Sequence, residues 1–198
     1  MPLMHVGCLY EHVETDPHGH KTVKISQQHF ADSKNLMTVR KAEPTTPCDA
    51  KEQHDFRASI GALLYLCMTR LDLVAEVVII QSKVCCSTIG DLLACNQVVR
   101  RAKQYSARGI IYRPLQPPLR ILAISDASFA TSKTSYAIEG CLVLITSQQT
   151  IALKPGENRC SPADFKKFCC GSARILHASS KKAKRISHST SHAERFLA

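Results

Sequence analysis

The run Arg120-Ile121-Leu122-Ala123-Ile124-Ser125 marks the point where the pattern of this chain changes. It follows a boundary set by Pro114, Pro117 and Pro118, and it is short and nearly continuously apolar. Such a run suits a buried central strand. Residues 136–146 form a second run, enriched in Ile, Leu and Val, and residues 173–178 a third. Residues 187–198 begin with Ser and Thr side chains that can cap a helix. The last part of the chain is therefore expected to hold strands followed by a helix.

Upstream of the prolines the period changes to that of a helix. Ile60, Leu63, Leu64 and Cys67 recur at helix spacing, and the pattern resumes with Leu73, Val77, Val78 and Gln81. Leu92, Cys95, Val98, Val99, Ala102 and Tyr105 form a clearer stripe, with Arg100, Arg101 and Lys103 off it. Asp91, just after Gly90, stands near the start of that helix, where negative charge is favourable. Gly109 closes the segment. Nearer the start, Asp16-Pro17-His18-Gly19 is a turn signal between residues 6–13 and 22–26, which predicts a hairpin. A short helix is expected within residues 27–37, and Glu43-Pro44-Thr45-Thr46-Pro47 reads as a linker. The fold class is α+β.

The 198 residues suffice for one large domain or two small ones. A hydrophobic content of 44% argues against global disorder. Trp is absent, so the core must rest on Leu, Ile, Val, Ala and Cys. The formal net charge of +10 favours polyanionic partners, nucleic acid first and an anionic membrane surface second. An ordinary basic surface would give the same charge. The opening MPLMHVGCLY lacks the pattern of a secretory leader, and no run approaches the ~18 apolar residues of a membrane span. The ten cysteines are then expected to be free thiols in an intracellular setting, cytoplasmic or nuclear.

Phe56-Arg57-Ala58-Ser59-Ile60-Gly61-Ala62-Leu63-Leu64-Tyr65-Leu66 resembles the copia-family run YRSLVGSLLYL. Thr69-Arg70-Leu71-Asp72-Leu73 is similar to that family's TRPDI, with Leu71 in place of proline. Ser125-Asp126-Ala127-Ser128-Phe129-Ala130 resembles SDADWAG, the first RNase H motif. The stretch KAKRISHSTSHAERFL, from Lys182, resembles KQKTVALSSTEAEYIA, with Ala193-Glu194 on the family's AE and Arg195 in place of tyrosine. Val23-Lys24-Ile25-Ser26-Gln27 resembles the ISLSQ stretch that follows the polymerase palm. The motifs keep the family's order over about residues 5–198, although residues 148–171 exceed the family's connection between second and third strands. The resemblance is to the copia-type retrotransposon Pol polyprotein.

It implies three parts. Residues 1–54 would be a post-palm reverse transcriptase segment with hairpin and linker. Residues 55–118 would be a helical thumb or connection-like region. Residues 119–198 would be a truncated RNase H-like domain of about three antiparallel strands and a helix. RNase H hydrolyses the RNA strand of an RNA–DNA hybrid, with Mg²⁺ held by converging carboxylates. Of the family's four, the resemblance puts Asp126 on the first and Glu194 on the second, as catalytic residues and metal ligands. The chain as given stops at Ala198, so the remaining two are expected to be missing and both residues to be vestigial. Glu139 reads as a surface residue, and Asp72 as structural, turning the chain between helices. The polymerase's acidic hairpin has no counterpart here.

Lys181, Lys182, Lys184 and Arg185 form a basic cluster just before the Glu194 helix, which would either meet nucleic-acid phosphates or be a solvated basic loop. Arg100, Arg101, Lys103 and Arg108 could add to them. Cys160, Cys169, Cys170 and His177 lack the paired spacing of a zinc site. The expected function is that of a polyprotein fragment without independent catalysis that retains hybrid binding. The alternatives are an RNase H completed by another chain and a domesticated basic nucleic-acid-binding module. Removal of the fourth RNase H strand would also leave the first with an open edge.

Overall fold

The computed structural model describes residues 2–128, 136–147 and 173–186, with the side chains of residues 128, 136–137 and 182–186 excluded. It is a mixed α+β structure with helices and two antiparallel sheets. The first sheet has the order β1 (Leu3–His5), β2 (Cys8–Thr15), β3 (Lys21–Ser26), β4 (Gly109–Tyr112). The hairpin expected around Asp16 joins β2 to β3. Asp16 Oδ1 accepts the His18 and His20 N–H groups at 2.9 and 2.8 Å, and Gly19 supplies a φ of +83°. β4 returns from beyond the helices to pair with β3, Ile110 opposite Ile25. Gly109 is required there, because a Cβ would collide with the Ile25 carbonyl.

Between β3 and β4 lie α1 (Gln28–Asp32), α2 (Ala50–Leu66), α3 (Val74–Gln81) and α4 (Ile89–Gln104). Reciprocal capping boxes start the two long helices: Asp49 with Glu52, and Thr88 with Asp91. The stretch expected as a linker runs over the N-terminus of α4. There the Pro44 and Thr46 carbonyls accept the N–H groups of Gly90 and Ile89, donors that a helix leaves unsatisfied.

Phe56, Ile60, Leu63 and Leu66 of α2 meet Leu73, Val77 and Ile80 and the α4 stripe Leu92, Cys95, Val98, Val99 and Ala102 in one core. Leu64 and Gln81, assigned inward from spacing, are exposed, and Phe56 takes the buried place on α2. Asn96 is also buried, and its amide bonds both the N–H and the carbonyl of Met37 at 2.9 Å. That fastens an otherwise irregular segment to α4.

The second sheet has the order β5 (Leu119–Ser128), β6 (Tyr136–Ser147), β7 (Ala173–Ile186). Here the structure corrects the buried central strand expected from the apolar run 120–125 and agrees with the open edge expected from a missing fourth strand. Among the described residues β5 is an edge strand, with Ile121 72% exposed, and β6 is central. An apolar run marks a strand, but its neighbours decide whether it lies inside or at an edge. β7 runs past the expected 173–178, because Lys181 finds Glu139 directly across the ladder. The terminal helix expected within 187–198 lies outside the described residues.

Opposite residues in this sheet share a face. Ile124 and Asp126 of β5 therefore stand with Gly140 and Leu142 of β6, and with Ala178 and Ser180 of β7. This face looks toward Leu71, Val74 and Ala75 at the start of α3, which packs against β7.

Candidate functional site

Asp126 sits near the end of β5, opposite Gly140, whose missing side chain leaves room beside the carboxylate. It is exposed, and its Oδ1 accepts the Ala127 N–H at 2.9 Å. It lies at one end of a groove of about 530 Å³, lined mainly by Leu71, Val74, Ala75, Ile124, Leu142 and Ala178. The floor is thus apolar, with a single carboxylate among the lining residues.

Glu139 does not join Asp126. It stands opposite Ala127, so it occupies the other face of the sheet, where it pairs with Lys181 at 3.4 Å. Its side chain is only 12% exposed, which corrects the reading of a plain surface residue. Glu194 lies outside the described residues. Among the described residues no three His, Cys, Asp or Glu side chains gather as a metal site. Asp126 is a single carboxylate, and a two-metal clamp needs several converging ones. The described residues therefore do not build a two-metal Mg²⁺ site.

The expected basic cluster is not in a loop. Lys181, Lys182, Lys184 and Arg185 all belong to β7, with Lys181 opposite Glu139 and Lys182 opposite Ile138. Lys181 is exposed on the face away from Asp126. The cations on and just after α4 are largely engaged. Arg101 bonds Glu76, Lys103 bonds the Lys34 carbonyl at 2.9 Å, and Arg108 covers the Tyr105 ring at 4.2 Å. Of the residues in the zinc reading, Cys160, Cys169 and Cys170 lie outside the described residues, and His177 is exposed on β7. Cys8, Cys48, Cys67, Cys85, Cys86, Cys95 and Cys141 are free thiols.

Two basic clefts were not anticipated. One, of about 490 Å³, is lined by Lys24, Arg70, Asp72 and Arg108, together with Ile110 and Ile175. The other, of about 380 Å³, is lined by His20, Lys21 and Arg174 against Pro114 to Pro117, with no carboxylate in its wall. Both bring strand β3 together with the distant β7, so no local spacing in the sequence announces them.

The Thr69-Arg70-Leu71-Asp72 motif forms a buried junction. Arg70 is 2% exposed and binds the Asp72 carboxylate with both ends of its fork, while Thr69 Oγ1 donates to buried Gln27 at 2.8 Å. Hydrogen bonds from Arg70 hold the Asp72 carboxyl below the ordinary range against the opposing effect of partial burial. The R-x-D spacing was the available signal. Asp72 is structural, as its position between helices suggested.

No protein-family model matches the chain, and no curated protein or solved structure matches it. Among the described residues no helix is long and apolar enough to cross a membrane.

Proposed function

We propose that this chain is a fragment of a copia-type retrotransposon reverse transcriptase and RNase H polyprotein. In this reading it has no independent catalysis and keeps affinity for nucleic acid, RNA–DNA hybrids in particular. One observation carries the reading. Asp126, which the motif resemblance puts on the first RNase H carboxylate, stands near the end of β5 in an antiparallel β5–β6–β7 sheet. That is the strand arrangement the resemblance implies for the start of an RNase H domain.

The part of this reading that concerns catalysis rests on the acids that the motif resemblance assigns. Hydrolysis by two Mg²⁺ ions needs several carboxylates in one place. The motifs supply Asp126 and Glu194 only, and Glu139 points away. The affinity for nucleic acid is supported by the net charge of +10 and by the cleft that holds Lys21 and Arg174 with no carboxylate in its wall.

The test is incubation of the purified chain with an end-labelled RNA–DNA hybrid and Mg²⁺. No cleavage above background is expected, and D126N should behave like the parent chain. Mg²⁺-dependent cleavage of the RNA strand that D126N abolishes would replace this reading with that of a working RNase H.

A further inference from the structure

We propose that β5 pairs antiparallel with β5 of a second copy of this chain, joining two three-stranded sheets into one of six strands. The proposal goes beyond the functional reading above and does not depend on it.

β5 is an edge that lacks the usual protections. Among the described residues it pairs only with β6, and that ladder runs from Leu119 opposite Ser147 to Ser128 opposite Ile138 without a bulge. The strand contains no Pro and no Lys. Leu119 is 48% and Ile121 72% exposed. Long, regular, apolar edges of this kind template the addition of another strand. The opposite edge differs. The pairing of β7 with β6 is interrupted twice, and β7 carries Lys181, Lys182 and Lys184. Irregularity and lysines are the devices that keep an edge unpaired.

Charge complementarity selects a second copy as the partner and fixes the register. Arg120 and Asp126 are the only charged residues of β5, and their even spacing puts them on one face. A two-fold axis through Ala123 sets Arg120 opposite the second copy's Asp126, Ile121 opposite its Ser125, and Leu122 opposite its Ile124. The same register makes the reciprocal ion pair by symmetry, as an isologous contact requires. Sliding by two residues one way sets Asp126 against Leu122. Sliding the other way sets it against Pro118, beyond the strand. Either shift loses both ion pairs, and a one-residue slip turns every side chain to the wrong face. Arg120 already has a contact within its own chain, but a guanidinium carries five donors. Asp126 uses Oδ1 for the Ala127 N–H, and its Oδ2 is the acceptor assigned to the second copy.

The experiment is sedimentation equilibrium of the full chain over a concentration series, with far-UV circular dichroism to confirm that each variant folds. The parent chain is expected to dimerise reversibly. R120D and D126R should each weaken the dimer by about tenfold or more, because like charges then face each other across both pairs. An equimolar mixture of the two variants should associate again, since the doubly acidic strand meets the doubly basic one. The R120D/D126R chain should also regain the dimer, and it carries the test if one single variant does not fold. A parent chain that stays monomeric throughout would overturn the proposal. So would a dimer indifferent to both single changes, or a failure of both the mixture and the double variant to recover association.

Discussion

Arg70 holds Asp72 two residues ahead of it, Nε to Oδ1 and Nη2 to Oδ2, both at 2.9 Å. Its remaining terminal nitrogen, Nη1, donates to the carbonyls of Ala102 and Tyr105 at 3.0 and 2.9 Å. One buried guanidinium thereby caps the C-terminus of α4 and fixes the turn that leads into α3. The planar fork explains why this position is filled by Arg, since an ammonium could not satisfy the carboxylate and both carbonyls together. R70A is expected to destabilise the helical part by about 2 kcal/mol, because it removes the two closest bonds to Asp72, leaving only the longer Arg108 pair, and uncaps the helix. R70K should recover only part of this. Urea midpoints at neutral pH provide the measurement.

Acid should weaken the same junction. The hydrogen bonds from Arg70 keep Asp72 low. At Asp91 burial pushes the carboxyl up, but the bonds from Lys83 and Thr88 outweigh it and leave the group low as well. A carboxyl whose folded pKa is depressed binds fewer protons folded than unfolded, so stability rises with pH there. The contribution is fully present above the unfolded value of ~3.9 and is lost as pH falls through the lower folded values. Stability is expected to drop steeply below about pH 4, and less steeply in D72N/D91N. Urea unfolding at stepped acidic pH measures both slopes.

These features show what was legible in the sequence. The α2 and α4 stripes, the Asp16 turn and the break at the prolines were visible, because they rest on local spacing. The apolar run of β5 by itself suggested a buried central strand, because such a run carries no record of which strand lies beside it, and only the motif resemblance, with its fourth strand missing, pointed to an open edge. The extension of β7 was hidden by its charge, since polar residues read as a loop until Glu139 appears across the ladder. The burial of Arg70 was not legible, because only tertiary contact produces it. Asp126 came from motif resemblance alone, and its separation from Glu139 needed the register.

Asn96 offers an independent check on the packing of the irregular segment. Its amide closes a two-bond bracket on Met37, so N96A leaves a partly buried backbone N–H and carbonyl without their protein partners. The expected loss is about 2 kcal/mol. Proteolysis under native conditions should then cut near residues 34–42 faster than in the parent chain.

The open edge of β5 has a dynamic consequence. At dilute chain concentration the amides of residues 121–125 are expected to exchange with solvent faster than those of α2 and α4, which lie in the main core. Raising the concentration should slow the β5 amides selectively if copies pair through that strand. Protection of residues 121–125 equal to the helices in dilute solution would show that the edge is covered.

The most direct measurement of the nucleic-acid reading is a titration of a labelled RNA–DNA hybrid with the purified chain at rising salt. The expected result is binding at low salt whose log affinity falls linearly with log salt concentration, as counterions are released from the phosphates. Charge reversal of Lys21 and Arg174 should flatten that slope. Absence of binding at low salt, or an affinity indifferent to salt, would contradict the reading.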